Sequence, residues 1–187
     1  MDLIFPKYLH ADYYLVAHSH EDARMRTLLA LTLGLVAAPL PAEPPADVRL
    51  DQVSYADLLG ELKARKGQVV LVDVWGTFCA PCKEKFPALV AMHQKYNRRG
   101  LAVVSVSVDP PDDADAHEAA RAFLTRQRAA FRNVILTDKA EVWQAKWQIE
   151  GPPLVFLFDK QGRLVAKWEG KFNPDEVEKR VAALTEE

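Results

Sequence analysis

Cysteine is nearly missing from this chain: 187 residues hold two, Cys79 and Cys82, three positions apart. A framework of disulfides stapling distant loops is thereby excluded, and chemistry is the better reason for the pair. A basic surplus is missing as well. The formal charge is −2 and no stripe of Lys and Arg interrupts the sequence, so nucleic acid is excluded as a partner. No apolar run reaches the ~20 residues that a helix needs to cross hydrocarbon. No internal repeat occurs, and the length leaves no room for a second full domain. A closed zinc site needs a full tetrahedral ligand set, and the histidine nearest the cysteines, His93, has no His partner at finger spacing. Neither metal nor cofactor is expected.

What is present begins with a leader-like segment. Leu28 to Ala38 reads LLALTLGLVAA, preceded by Met25-Arg26 and followed by Leu40-Pro41-Ala42, a small-residue cleavage position. We read residues of about 25–42 as a secretory signal whose true start is Met25, which makes the protein exported, periplasmic or extracytoplasmic, with no stable membrane span after processing. Residues 1–24, with His10, His18 and His20, form a poor n-region and are read as a solvated or untranslated tail. Glu43-Pro44-Pro45-Ala46 is stiff and serves as a linker. The expected organisation is therefore 1–45 as extension, signal and linker, and 46–187 as the folded domain.

Within that domain the pattern alternates. Val48-Arg49-Leu50 predicts a short strand, and Ser54 caps a helix with Leu58, Leu59 and Leu62 on one face, ended by Gly67. VVLVDV, Val69 to Val74, is rich in β-branched valine and predicts a central strand buried on both faces. Phe86, Leu89, Val90, His93 and Tyr96 then recur at helical spacing from Cys82 to about Arg98, with Pro87 inside. A second buried strand is predicted for Leu101 to Val108, a helix for Asp112 to Arg128, a strand for Val134 to Leu136 and a helix for Lys139 to Trp147. Leu154 to Phe158 and Leu164 to Glu169 predict a hairpin, and Pro174 begins the last helix. Early strand–helix alternation implies right-handed parallel crossovers, and the closing hairpin an antiparallel edge. The fold class is α/β, a mixed central β-sheet flanked by helices.

Cys79-Ala80-Pro81-Cys82 follows the buried strand and opens a helix. At a helix N-terminus the unpaired amides and the positive dipole end favour a thiolate, which makes Cys79 the expected nucleophile. Cys82, one turn further in, is placed to resolve a mixed disulfide. Pro81 fits the first turn, where its missing amide proton costs nothing. Lys83 and Lys85 are close enough to lend positive charge. Asp73 sits in an otherwise apolar strand, where burial should raise its pKa into a range suited to proton transfer.

The run LVDVWGTFCAPCKEKFPAL and the segment Gly151-Pro152-Pro153-Leu154-Val155-Phe156-Leu157-Phe158-Asp159 resemble the thioredoxin superfamily, and within it the TlpA-like exported thiol–disulfide oxidoreductases. The resemblance covers about 46–187, including an inserted helix–strand element between Asp112 and Leu136. It implies a thioredoxin-like fold and a cis-proline at Pro153 whose loop faces the cysteines and receives the substrate backbone. It also implies that Asp73 accepts the proton of the resolving cysteine and that Trp75, Phe78, Pro81 and Pro152 border the substrate. Protein thiols and disulfides are the implied substrates, with a membrane or exported electron donor. Three departures stand out: Leu154 replaces the usual threonine, Phe78 the usual tryptophan, and Lys85 the glutamate of cytochrome c maturation members.

Two alternatives accompany this reading. A thiol peroxidase of the related peroxiredoxin type would need a P-x-x-x-T-x-x-C pattern, but Thr77 precedes Cys79 by two positions and the proline is absent. A non-catalytic binding module could keep the shape and a static disulfide, since fold alone does not fix function.

Overall fold

The computed structural model describes residues 47–186. The leader, the tail before it and the boundary placed at residue 46 lie outside the described residues. In chain order the elements are β1 (Asp51–Val53), α1 (Tyr55–Ala64), β2 (Val69–Trp75), α2 (Ala80–Tyr96), a 3-10 turn (Asn97–Arg99), β3 (Leu101–Ser107), α3 (Ala114–Arg126), β4 (Arg132–Leu136), α4 (Ala140–Trp147), β5 (Leu154–Phe158), β6 (Leu164–Glu169) and α5 (Pro174–Glu186). No helix among the described residues is long and apolar enough to cross a membrane.

Local chemistry explains the boundaries. Ser54 accepts the Asp57 N–H at 3.1 Å and donates its hydroxyl to the Asp57 carboxylate at 2.6 Å, which closes the first turn of α1. Asp113 caps α3 by accepting the Ala116 N–H at 2.9 Å, so that helix starts after Asp113 rather than at Asp112. Arg128, at φ +53°, lies beyond its end. Gly100, at φ +91°, turns the chain out of the 3-10 segment into β3, a conformation that a side chain would strain.

The sheet runs β1-β4-β3-β2-β5-β6. Its first four strands are parallel, and β5 and β6 are antiparallel to their neighbours, as the closing hairpin implies. The first strand is a correction. It lies at Asp51–Val53, not Val48–Leu50, because Asp51 and Val53 pair with Val134 and Leu136 of β4, while Leu50 turns into the core. That pairing is a long-range event that a three-residue strand cannot signal by its own composition.

Strand alternation divides the core in two. Val69, Leu71 and Trp75 of β2, with Leu101 and Val103 of β3, face α2, α3 and α5. Val70, Val72 and Val74, with Val104 and Val106, face α1 and α4 through Leu58 and Trp143. All seven residues of β2 are buried, as are all seven of β3.

Leu157 of β5 is fully buried, whereas Val165 on the edge strand is 40% exposed. Leu157→Ala should therefore cost about 2–5 kcal/mol, and Val165→Ala no more than about 0.5 kcal/mol. Urea midpoints of the two variants check this, and equal losses would contradict the assigned faces.

Candidate active site

One end of the sheet collects the chemistry. Strands β2 and β3 are parallel with Trp75 opposite Ser107, so both finish at the same edge. Strand β5 runs the other way, with Leu154 opposite Val74, so Pro153 enters the sheet beside the end of β2. The Gly76–Phe78 turn, the Val108–Asp109 exit of β3 and the Pro152–Pro153 loop therefore meet where α2 begins.

Cys79 is the N-cap of α2. Its sulfur accepts the Cys82 N–H at 3.3 Å, and it is bonded to the sulfur of Cys82 at 2.00 Å. Both cysteines are almost enclosed, at 5% and 3% exposure. Pro81 occupies the second helical position, where no backbone donor is missed, and it is exposed beside the pair. Phe78 is 64% exposed, and its ring folds over Gly76: a Cβ at Gly76 would stand 2.5 Å from Cε1 of that ring. Glycine at position 76 is what lets the ring lie against the backbone.

The turn before Cys79 is held by a clamp that the sequence reading did not single out. Asp109, 1% exposed, accepts the Thr77 N–H at 2.9 and 3.1 Å, the Thr77 hydroxyl at 2.6 Å and the Ser107 hydroxyl at 2.6 Å. From the other side Lys83 donates its ammonium to the Thr77 carbonyl at 2.7 Å. Lys83 is thus tied to the turn rather than simply exposed on a helix face. A signal was present in the sequence: Ser105, Ser107 and Asp109 repeat with period two in an otherwise apolar strand, which puts three polar groups on one buried side.

Asp73 is 8% exposed and, by alternation, points with Leu71 and Trp75 towards the face that holds Cys82 and Phe86. Burial pushes its carboxyl up to about 7, while the positive charge of Lys85 pulls the other way. Lys85 also lies over the Phe172 ring, 5.0 Å from its centroid. Trp75 is fully buried. Its indole N–H donates to Ser105 Oγ at 2.8 Å and its ring packs against Phe86 and Phe123 at 5.4 and 5.0 Å, so it is wall rather than docking surface in this disulfide-bonded state.

The Pro152–Pro153 peptide is cis. Both prolines are half-buried, and the Pro153 carbonyl accepts the Gly170 N–H at 2.9 Å. Neither proline has an N–H to offer, so the dipeptide presents the Pro152 carbonyl as its remaining backbone hydrogen-bonding group. Among the described residues no group of three or more His, Cys, Asp or Glu side chains is placed to hold a metal ion.

Two outcomes follow from these contacts. Asp109→Ala strands the donors of Thr77 and Ser107 and should lower stability by about 3 kcal/mol, against about 1 kcal/mol for the exposed cap Asp113→Ala; urea unfolding with the disulfide intact measures the difference. Asp73 adds a pH signature. Its native carboxyl keeps the proton to about pH 7, while the unfolded one releases it near pH ~4, so the native state binds more protons between these values. Stability should fall as pH rises through that window. Asp73→Asn should remove the fall: its stability advantage is absent at about pH 4 and complete above about pH 7. A constant difference across the range would contradict the burial of this carboxyl.

Known proteins resemble this chain in sequence and fold. The chain is 27% identical over 125 residues to the thiol-disulfide oxidoreductase ResA of Bacillus thuringiensis (strain Al Hakam), covering 67% of this chain and 68% of that protein. It is 27% identical over 143 residues to the thiol:disulfide interchange protein HelX of Rhodobacter capsulatus, covering 76% and 74%. Among solved structures, a putative thiol:disulfide interchange protein DsbE from Chlorobium tepidum superposes with a TM-score of 0.56 at 28% identity, covering 66% of this chain and 84% of that one. A thiol:disulfide interchange protein from Bacteroides sp. gives 0.55 at 25% identity, covering 67% and 78%. The mixed sheet with flanking helices is therefore the thioredoxin-like fold that the sequence suggested. With residues 46–167 matched by the model of that family, the chain belongs to the AhpC/TSA family.

Proposed function

We propose that the protein is a thiol–disulfide oxidoreductase acting on protein substrates through Cys79 and Cys82. The observation that carries this reading is the Cys79–Cys82 disulfide at the first turn of α2, with a buried carboxyl of raised pKa on the same face of the sheet. The relatives named above are described as oxidoreductases and interchange proteins of this chemistry.

In the reducing direction the dithiol form reacts first. The Cys79 thiolate, favoured by the amides and dipole of α2, attacks one sulfur of a substrate disulfide. A new S–S bond joins Cys79 to the substrate, and the other substrate sulfur leaves as a thiolate and takes up a proton. Cys82 then loses its proton to the Asp73 carboxylate and attacks Cys79 Sγ. That step forms the Cys79–Cys82 bond and releases the second substrate sulfur, to which a proton returns. Two electrons pass from the protein dithiol to the substrate, and an external dithiol donor restores the reduced pair. Run backwards, the same steps oxidise a substrate dithiol.

The exposed Phe78 and Pro81 and the Pro152–Pro153 loop give the substrate chain a surface beside the sulfurs. In this reading an extended substrate segment donates a backbone N–H to the Pro152 carbonyl. Trp75 supports the turn from beneath. The site needs no cofactor or metal, and the domain of 46–187 follows an exported leader that places it outside the cytoplasm, where a membrane or exported donor supplies electrons. The thiol peroxidase alternative gains no support from Thr77, whose hydroxyl is engaged by Asp109.

Insulin disulfide reduction with dithiothreitol as donor tests the reading. Cys79→Ala should abolish turnover, and Cys82→Ala should accumulate a mixed disulfide visible on non-reducing gels. Asp73→Asn should slow release of that mixed disulfide and remove an inflection near pH ~7 from its rate profile. Unchanged turnover in both cysteine variants, or consumption of hydrogen peroxide faster than of insulin disulfides, would overturn it.

A further inference from the structure

On the face of the sheet opposite α2, a groove opens between α1, the last turn of α4 and strand β6. Its floor is Val72 and Phe156, its walls include Leu59, Leu62 and Trp147, and Leu164 forms a lip that is 52% exposed. The cavity measures about 360 Å³. Leu59, Leu62 and Phe158 are shared with a narrower branch of about 170 Å³, which extends along α1 to Arg65 and Lys66. Concave apolar space of this size lies in the range of small-molecule sites, roughly 300–1,000 Å³, and an apolar surface left open on a soluble domain is a marker of binding.

The charged residues that line the groove have one sign. Lys146 and Lys167 line the main cavity, and Lys63, Arg65 and Lys66 line the branch; no Asp or Glu lines either. This is a local concentration of five cations on a chain whose formal charge is −2. Lys167 is partly engaged, its ammonium 3.3 Å from Glu169 and 3.3 Å from the Trp147 carbonyl. Arg65 is different. Its Nε is buried and has no hydrogen-bond acceptor among the described residues. The neighbouring acid, Glu61, lies within the field of the Arg65 charge, but its hydrogen bonds are made to Arg132, at 2.9 and 2.7 Å. A buried guanidinium donor without an acceptor costs free energy that an arriving anion would recover.

We propose that this groove binds a single-chain amphiphile with a carboxylate head, of the fatty-acid class. The head meets Arg65 and Lys66, and the chain lies along Leu59 and Leu62 into the cavity floored by Phe156 and walled by Trp147. The site lies across the sheet from Cys79 and does not depend on the redox reading. Apolar lining alone would accept any oily molecule; the Arg65 donor without an acceptor and the cationic lining select the anion.

Isothermal titration of the full chain with decanoate and with decan-1-ol, each below its aggregation threshold, tests the assignment. Decanoate should bind with one molecule per chain and at least about tenfold more tightly than the alcohol. The variant R65Q/K66Q should erase that preference while leaving the alcohol's affinity unchanged, and Leu62→Glu should weaken both ligands. Circular dichroism establishes that each variant is folded; if Leu62→Glu is not, R65Q/K66Q decides alone. Absence of saturable decanoate binding, equal affinity for acid and alcohol, uptake of several molecules per chain, or an unaltered preference in R65Q/K66Q would each overturn the proposal. A groove filled by a second copy or by the chain's own residues 28–38 would give the first of these results.

Discussion

Strand β2 is hydrogen-bonded on both sides and packed on both faces, and the rest of the molecule is arranged around that constraint. With β3 parallel on one side and β5 antiparallel on the other, each residue of Val70–Val74 has a fixed neighbour in both directions. Period-two alternation then fixes which side chains meet α2 and which meet α1. An acid at position 73 has no solvated option in such a strand. Its raised pKa is a consequence of where β2 must lie, not of a special partner, since desolvation dominates and the Lys85 charge only moderates it.

The same strand ends where the helix begins, and a short turn must carry the chain from one to the other without fraying. Thr77 is gripped by Asp109 through its amide and hydroxyl and by Lys83 through its carbonyl. Buried polar groups of this kind are costly unless every donor finds an acceptor, and here they do. The result is a cysteine held at the helix N-cap by a turn that Asp109 and Lys83 fix from outside it. Lys85 places a positive charge in the field of Asp73, which lowers the proton affinity of that carboxyl.

The two faces of the sheet are unequal. Three helices, α2, α3 and α5, build the core on the side of the cysteines, and two, α1 and α4, build the other. The thinner side leaves Leu164 and the half-buried Trp147 and Phe158 around open space, where the larger aromatics pack against one another at 5.5 to 6.3 Å. The sheet itself separates the groove from the disulfide.

Composition and spacing determined much of this protein. A valine-rich run of six residues pointed to an interior strand, Ser54 could cap because its side chain reaches an amide three residues on, and two cysteines at helical spacing after a buried strand located the candidate site. These are local facts, legible because they depend on neighbours in the chain. Tertiary structure decided what depends on neighbours in space. The edge strand formed at Asp51–Val53 because β4 offered a partner there. Trp75, which the resemblance set beside the substrate, was enclosed by Ser105, Phe86 and Phe123. Asp109 acquired its role only when β3 ended beside β2, 32 residues from Thr77 in the chain. Glu61 found its hydrogen-bond partner in Arg132, 71 residues away, while Arg65 Nε was left without an acceptor among the described residues. Hydrogen-bond partnership and burial are properties of the packed sheet, and no window along the chain is wide enough to contain them.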